Sequence, residues 1–414
     1  MKQYPVYKDL GIEWLREIPK HWEKKKLKII FKIVNGATPQ SSESDYWDGD
    51  ISWATPDDFS SVRSDGVLNA TRRRITISGY QNCGTTIAPQ RSIIISTRAP
   101  IGYVAVLGKD MCCNQGCRIL MKRDCNTSER FYYYFISAFS SVLASFGDGS
   151  TFKELSRDKL ANFMLVIVPQ KEQTVIVTFI DSKVSQIDDL ITKKERMIEL
   201  LKEECEVVIN QAVTKGLDSN VEMKDSGVEW LGKVPKHWGI KKLKFVACLK
   251  SGDGIDTDLI KGEDQYPVFG GNGIRGYTSA FTHDGNFVLI GRQGALCGNV
   301  NYANGRFWAS EHAVVVTLNV GYDVIWLGEL LRSMNLNQYS QSAAQPGLAV
   351  DSIQNLSVPV PPHKEQKEIA TFLERRIKQI HEQTSREQES IELLKEYRTA
   401  LISEVVTGKI DVRN

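Results

Sequence analysis

Five aspartates crowd one short stretch: Asp45, Asp48, Asp50, Asp57 and Asp58 in SDYWDGDISWATPDDF. That density could hold a divalent metal for phosphodiester chemistry. No Glu-x-Lys follows to complete such a centre, so the stretch reads as a solvated acidic loop. Cys112, Cys113, Cys117 and Cys125 form the tightest thiol group. Their spacing is not that of paired zinc ligands, and none of the six histidines is near them in sequence. His21 and His237 recur in matching contexts, which assigns them to packing or capping rather than proton transfer. Gly108-Lys109, Gly232-Lys233 and Gly408-Lys409 lack the spacing and hydroxyl of a phosphate loop. No Gly-x-Gly-x-x-Gly opens a helix after a strand, and Gly270-Gly271-Asn272-Gly273 reads as a turn. An Asn/Asp-Pro-Pro-Tyr/Phe loop, which would hold a flipped base for amino methylation, is also missing. These residues predict no catalytic group and no metal ligand, hence a binder rather than an enzyme.

What the chain offers instead is cationic and amide side chains on an ordinary globular background. At 414 residues, 42% hydrophobic and 25% charged, it is long enough for two or three domains. No run of 18 apolar residues could span a membrane, and MKQYPVYKDLG has no signal-peptide core. Eight cysteines in a chain this long predict reduced thiols and a cytoplasmic setting. Net charge is only +2, but residues 1–168 carry 23 Lys and Arg against 17 Asp and Glu. Lys24-Lys25-Lys26, Lys28 and Arg72-Arg73-Arg74 lie there, a pattern suited to phosphate contact. Residues 221–362, with 12 Lys and Arg against 13 Asp and Glu, show no such excess.

The elements that must position these side chains are written twice. Lys8–Lys28 and Lys224–Lys244, 216 residues apart, share 14 of 21 residues, including EWL, PKHW and KLK. A second repeat begins at KEQTVIVTFIDSKVSQIDDL from Lys171 and KEQKEIATFLERRIKQIHEQ from Lys364, at an offset of 193. It runs ungapped through IELLKE to VTKGLD and VTGKID. The order is A-B-A′-B′, a domain duplication rather than a solenoid.

Each B segment follows proline (Pro169; Pro361-Pro362) and ends near glycine (Gly216; Gly408), as a helix should. A heptad starting at Ile180 places Ile187, Lys194, Leu201 and Val208 at a, with Val184, Ile191, Ile198, Cys205 and Ala212 at d. The second runs Leu373, Ile380, Glu387, Leu394, Leu401 at a and Ile377, Thr384, Ile391, Arg398, Val405 at d. Five heptads of narrow apolar stripe predict a coiled-coil seam. A pseudo-two-fold relation between the halves would set the helices antiparallel, with Lys194 opposite Thr384 and Ile191 opposite Glu387. The middles share little sequence, and runs such as RSIIIST (91–97), YVAVL (103–107), GNFVLIG (285–291) and HAVVVTL (312–318) predict strands. YYYFISAFSSVL (132–143) and VIWLGELLRSM (324–334) predict helices packed on the sheets. The expected fold class is α+β: two mixed α/β domains (1–168 and 217–361) separated by two long helices (169–216 and 362–414) that form an antiparallel coiled coil.

The doubled EWLxxxPxHW frames and doubled PxxKEQ helices resemble the specificity subunit of type I restriction–modification systems, over essentially the whole chain. GATPQSSESDYWDGDISWATPDDF (36–59) looks like the opening of one class of target-recognition domain. YPVFGGNGIRGYTSAF (266–281), LIGRQG (289–294) and FWASEHAVVV (307–316) look like another. The resemblance implies a bipartite, asymmetric site on double-stranded DNA, each domain reading one half, with the helices as spacer and docking surface. It implies two copies of a methylation subunit and restriction subunits as partners. S-adenosylmethionine, ATP and Mg would then reside on those partners, and this chain would hold no cofactor. A helix of roughly 44 residues would be about 66 Å long, capping the half-site separation at about 19 base pairs.

Side chains with the reach to read bases are Arg98 in ISTRAP and Arg292 in LIGRQG, which follow strands at corresponding places and suit guanine. Gln115, Gln293 and Gln345 suit adenine edges, and Thr38, Gln40 and Ser41 share a loop of similar reach. Arg72, Arg73 and Arg74 suit phosphate. Two other classes stay open on the sequence: a self-contained nuclease or methyltransferase, and a stand-alone DNA-binding or coiled-coil scaffold protein outside any restriction system.

Overall fold

The computed structural model describes residues 2–63, 65–149, 153–294, 296–340 and 347–413. It contains two compact units, Met1–Lys194 with Glu389–Asn414, and Glu195–Gln388. The long helices Gln170–Lys215 and His363–Val406 each contribute one segment to either unit. No helix among the described residues is long and apolar enough to cross a membrane.

The first unit is built on five strands: β1 (Phe31–Asn35), β2 (Val67–Leu68), β3 (Ile93–Ser96), β4 (Val104–Leu107) and β5 (Cys117–Lys122). Their order is β1-β5-β3-β4-β2, antiparallel except for β2 beside β4. Ile94 and Ile119 join one cluster, while Ile93, Ile95 and Leu120 alternate to the opposite face and are equally buried. Cover on both faces is why RSIIIST reads as a continuous apolar run rather than an alternating one. Helix α1 (Glu129–Ala138) packs on β4 and begins three residues before the expected YYYFISAFSSVL segment, because the Ser128 hydroxyl caps it by accepting from Phe131 N–H at 3.2 Å. A smaller three-stranded sheet pairs Trp47–Ala54 with Cys112–Cys113 and Arg73–Ile75 over Trp47, Trp53 and Ile75.

The second unit carries β6 (Ala247–Ser251), β7 (Tyr266–Gly270), β8 (Gly273–Thr278), β9 (His283–Gly291), β10 (Val300–Ala309) and β11 (Ala313–Leu318). Order β6-β11-β9-β10-β7-β8 repeats the first unit's β1-β5-β3-β4 in its first four strands, and β8 pairs with β7 as a hairpin. Its parallel pair, β7 beside β10, answers to the parallel pairing of Trp47–Ala54 with Cys112–Cys113 in the smaller sheet, since Ser310 N–H donates to Phe269 O as Asn114 N–H does to Ala54 O. Helix α2 (Val324–Ser333) starts at Asp323, whose carboxylate accepts from Ile325 and Trp326 N–H, and buries Trp326, Leu327, Leu330 and Leu331 against Val288, Ile290, Val314 and Val316.

The hydrogen-bond registers of these four strands equate the two units residue by residue although their sequences differ. Asn35 pairs with Arg118 and Arg118 with Ile95; Ser251 pairs with Val314 and Val314 with Ile290. Leu155 N–H donates to Thr97 O, as Leu348 N–H does to Arg292 O. An isolated bridge joins Arg98 to Glu154 in one unit and Gln293 to Gly347 in the other. Thr97 therefore corresponds to Arg292, and Arg98 to Gln293. The equivalence of Arg98 with Arg292 read from the sequence is one residue out, because only the ladder fixes register between strands of unlike sequence.

The repeated PKHW frames explain themselves as sockets for helix ends. In the first unit Glu172, two residues into the first long helix, takes His21 Nε2 at 2.8 Å and Trp22 Nε1–H at 3.2 Å. Tyr4 O–H donates to the same carboxylate. Gly408 ends the second long helix in a left-handed conformation (φ +74°), where a Cβ would lie 2.5 Å from Pro19 and 3.1 Å from Trp22. The second unit repeats this: Glu365 takes His237 Nε2 at 2.8 Å and Trp238 Nε1–H at 3.0 Å, and Gly216 (φ +79°) lies against Trp238. The adjoining glutamines are equivalent too. Gln173 accepts from Ser128 N–H and Gln366 from Asp323 N–H, tying each long helix to the cap of the sheet-packed helix.

Within each unit the start of one long helix thus lies beside the end of the other, so the segments run antiparallel. Arg398, a polar d residue, pairs with Asp188 in the first unit, and Arg376 with Glu204 in the second. Ile180, Val184, Ile187, Ile191 and Ala212 are buried as the heptad expects, but near the end of the first long helix Ile209 and Val213 join the buried stripe and Val208 is left partly exposed. A straight helix drifts from a 3.5-residue repeat, and here the drift turns the apolar face onto the unit's own core.

Candidate nucleic-acid interface

Three loops of the first unit converge beyond the ends of β1, β3 and β5. Ala37 N–H donates to Cys113 O at 3.0 Å, and Thr97 N–H to Gly116 O at 2.8 Å. Trp53 Nε1–H fixes the first loop by donating to Ala37 O at 2.9 Å. Gly36 permits the approach, since a Cβ there would sit 1.8 Å from Asn114 O. On this platform the Thr38 hydroxyl donates to Gln115 Oε1, and the Gln115 amide nitrogen makes no hydrogen bond among the described residues. Arg98 donates Nε–H to Glu154 Oε2 at 3.0 Å, leaving the outer edge of its guanidinium unpaired among the described residues. Thr38, Gln115 and Arg98 are brought together; Gln40 and Ser41, exposed two residues on, are held by Trp47 Nε1–H on Gln40 O at 3.4 Å.

The Arg72–Arg74 run divides by strand alternation. Arg73 stacks its guanidinium 3.6 Å above the Trp47 ring, on the face it shares with buried Ile75. Arg72 donates to Ser60 Oγ at 3.1 Å, and Arg74 is exposed. Asp58, expected in a solvated acidic loop, is buried: its carboxylate accepts from Thr55 N–H and from Arg72 N–H, each at 2.7 Å. Asp58 is drawn inward because it is the third residue of the 3-10 turn that Pro56 opens, where its carboxylate closes a capping box on the N–H of Thr55. Lys24 is likewise engaged internally, donating to Leu10 O at 2.6 Å.

In the second unit the matching loops are those after β6, β9 and β10, where Gly252 stands at the place of Gly36 with a Cβ 2.3 Å from Ala309 O, and the hairpin turn after β7 lies against them. Gly271 and Gly291 touch so closely that a Cβ on Gly291 would lie 2.1 Å from Gly271 O. Asn299 Nδ2–H donates to Asn272 Oδ1 at 2.8 Å, and Arg292 N–H to His312 O at 2.9 Å. Gln293 Oε1 lies 3.0 Å from His312 Nδ1, and His312 Nε2 lies 3.0 Å from Glu311. Arg292 is half-buried, with no hydrogen bond or ion pair for its guanidinium among the described residues. Gln345 lies outside the described residues.

Sequence reading missed Asn35, Arg118 and Glu154 in the first unit and Asn272, Asn299 and His312 in the second. Arg118 interrupts the apolar run of β5, a signal that could have found it. Glu154 had none, because its partner is 56 residues away and joined only by the bridge. Burial pushes the Cys112 thiol up to about 12 and raises Cys113 and Cys117 as well, so these thiols stay protonated in the core. No group of three His, Cys, Asp or Glu among the described residues is arranged to hold a metal ion.

The interface is thus two sets of three loops on one strand plan, rich in Arg, Gln, Asn and Thr. The sequence matches the family described as type I restriction modification DNA specificity domain over residues 19–200 and 235–393. It is 32% identical to the EcoprrI specificity subunit of Escherichia coli over 359 residues, 84% of this chain and 86% of that one. It is 26% identical to the MjaIX specificity subunit of Methanocaldococcus jannaschii, covering 96% and 95%. Its fold is similar to a chain from a type I R-M system solved for its complex assembly and conformational transition, with TM-score 0.73 over 95% of this chain and 99% of that one, at 16% identity. The HsdS subunit from Thermoanaerobacter tengcongensis superposes with TM-score 0.60 at 16% identity, covering 97% and 100%. Two domain matches laid over two copies of one strand plan leave a single assignment, and the chain belongs to the type I restriction–modification specificity subunits.

Proposed function

We propose that this chain reads a bipartite, asymmetric site on double-stranded DNA and performs no chemistry itself. Residues 1–168 and 217–361 act as the two reading domains, and 169–216 and 362–414 as the helical spacer and docking element. Like scaffolds present unlike loops, so two half-sites of different sequence are read by equivalent surfaces. The observation that carries this reading is the shared four-strand order and register beneath the pairs Arg98/Gln293 and Thr97/Arg292. Thr38, Gln40, Ser41, Arg98 and Gln115 read one half-site, and Arg292, Gln293 and Gln345 the other. Arg72 and Arg74 contact phosphate, with Arg73 supporting them from its place over Trp47.

The two PKHW sockets are equivalent, which suits two identical copies of a methylation subunit docking by the same contacts; restriction subunits complete the assembly. S-adenosylmethionine, ATP and Mg belong to those partners, in the cytoplasm. Co-expression with its methylation subunit, followed by single-molecule mapping of methylated adenines, tests this. A split motif with a fixed gap is expected. Methylation without a motif, or at one continuous motif, would refute the reading.

A further inference from the structure

Arg98 is not held by the loop that carries it. Its Nε–H reaches Glu154 Oε2 at 3.0 Å, and the other oxygen of that carboxylate lies 3.7 Å from Arg118 NH2. Arg118 in turn donates NH1–H to Asn35 Oδ1 at 3.0 Å. The three cations and acids differ in exposure in an orderly way: the Arg118 side chain is 11% exposed, Glu154 38% and Arg98 48%. The series runs from an anchored interior guanidinium to a half-exposed one at the loop surface. Burying Arg118 is costly, because burial lowers its pKa and its Nε–H has no hydrogen-bond partner among the described residues.

The second unit shows that the strand plan does not need this cost. Its residues at the places of Asn35, Arg118, Arg98 and Glu154 are Ser251, Val314, Gln293 and Gly347, by the registers of equivalent ladders and bridges. Val314 is fully buried there without any ion pair. A costly charge where an apolar residue serves the scaffold equally well marks a local rule broken for function.

We propose that Arg118 and Glu154 are positioning residues: through their shared ion pair they fix Arg98 in the orientation that selects one base pair of the first half-site. This deepens the reading of Arg98 as a base contact and rests on it. The carboxylate takes the Nε edge, so the terminal NH1 and NH2 groups are aimed outward in one plane, the geometry a bidentate guanine contact needs. Without Glu154 the half-exposed guanidinium samples other rotamers and accepts other bases.

The test uses the full complex with its methylation subunits and a DNA library randomised across both half-sites. Arg98→Ala should lower discrimination at one base pair of the first half-site by about tenfold. Glu154→Gln and Arg118→Met should relax that same base pair, with Arg118→Lys retaining part of it. Preference at the second half-site should stay unchanged, which also reports an intact fold. A merely structural role would lower methylation of every sequence and leave the profile unmoved. A profile changed by Arg98→Ala but not by Glu154→Gln overturns the positioning inference and leaves the base contact standing. A profile unmoved by Arg98→Ala overturns both. If Glu154→Gln prevents assembly, Glu154→Asp, which keeps the charge but withdraws it, is judged by the same criterion.

Discussion

The sockets that hold the long helices are equivalent in position but unequal in depth, and the inequality predicts a difference in stability. Glu172 is 6% exposed and serves three neighbours, Tyr4 O–H, Trp22 Nε1–H and His21 Nε2, with Arg413 3.8 Å away. Glu365 is 23% exposed and serves two, His237 and Trp238. Asn220 occupies the place that Tyr4 holds in the first repeat. Truncating Glu172 to Ala strands a buried indole N–H and a buried phenol, each an orphan costing about 1–3 kcal/mol, so about 3 kcal/mol in sum. Truncating Glu365 strands one buried indole beside solvent and should cost about 1–2 kcal/mol. Native-state hydrogen exchange reads the two sockets separately. Protection over the first turns of helix Gln170–Lys215 should fall by roughly 100-fold in Glu172→Ala, and over the first turns of His363–Val406 by roughly tenfold in Glu365→Ala. Adding Tyr4→Phe to Glu172→Ala should recover about 1 kcal/mol, since it removes one of the stranded groups. Equal losses in the two sockets, or no recovery with Tyr4→Phe, would refute the reasoning.

The arginine run separates by role: Arg74→Ala should reduce the salt dependence of binding to every DNA sequence by about one phosphate contact. Arg73→Ala should instead cost about 1 kcal/mol of first-unit stability by removing the cation over Trp47, read by thermal unfolding of the free chain. Glu129 predicts an acid dependence of the first unit. Burial opposes its charge, but Lys122 at 2.9 Å and Arg91 outweigh burial and hold its pKa below the usual 4.5. Because the folded state binds this proton less readily than the unfolded one, the contribution is full above pH 4.5 and is lost as pH falls through the depressed value. Glu129→Gln should flatten that part of a stability–pH curve. Deleting one matched heptad from both long helices should shorten the preferred gap between half-sites by about three base pairs, measured from the methylation motif.

Much of this was present in the linear sequence because repetition and periodicity are local or self-referring signals. The 216- and 193-residue offsets alone showed A-B-A′-B′, and the heptads with their flanking Pro and Gly showed helices whose described ends are Gln170, Lys215, His363 and Val406. Repetition marked His21 and His237 for packing or capping, but their partners were not legible: His21 meets Glu172 across 151 residues, and nothing in either stretch names the other. The register between unlike middles was equally hidden, which is why Arg98 was matched with Arg292 when its counterpart is Gln293. Side-chain partners such as Glu154 for Arg98, or Trp47 for Arg73, depend on which loops the ladder brings to one edge. Sequence patterns specify which residues want burial and which can bond, because those are properties of single side chains. Which partner satisfies each is a property of the closed chain, and only the tertiary structure decided it.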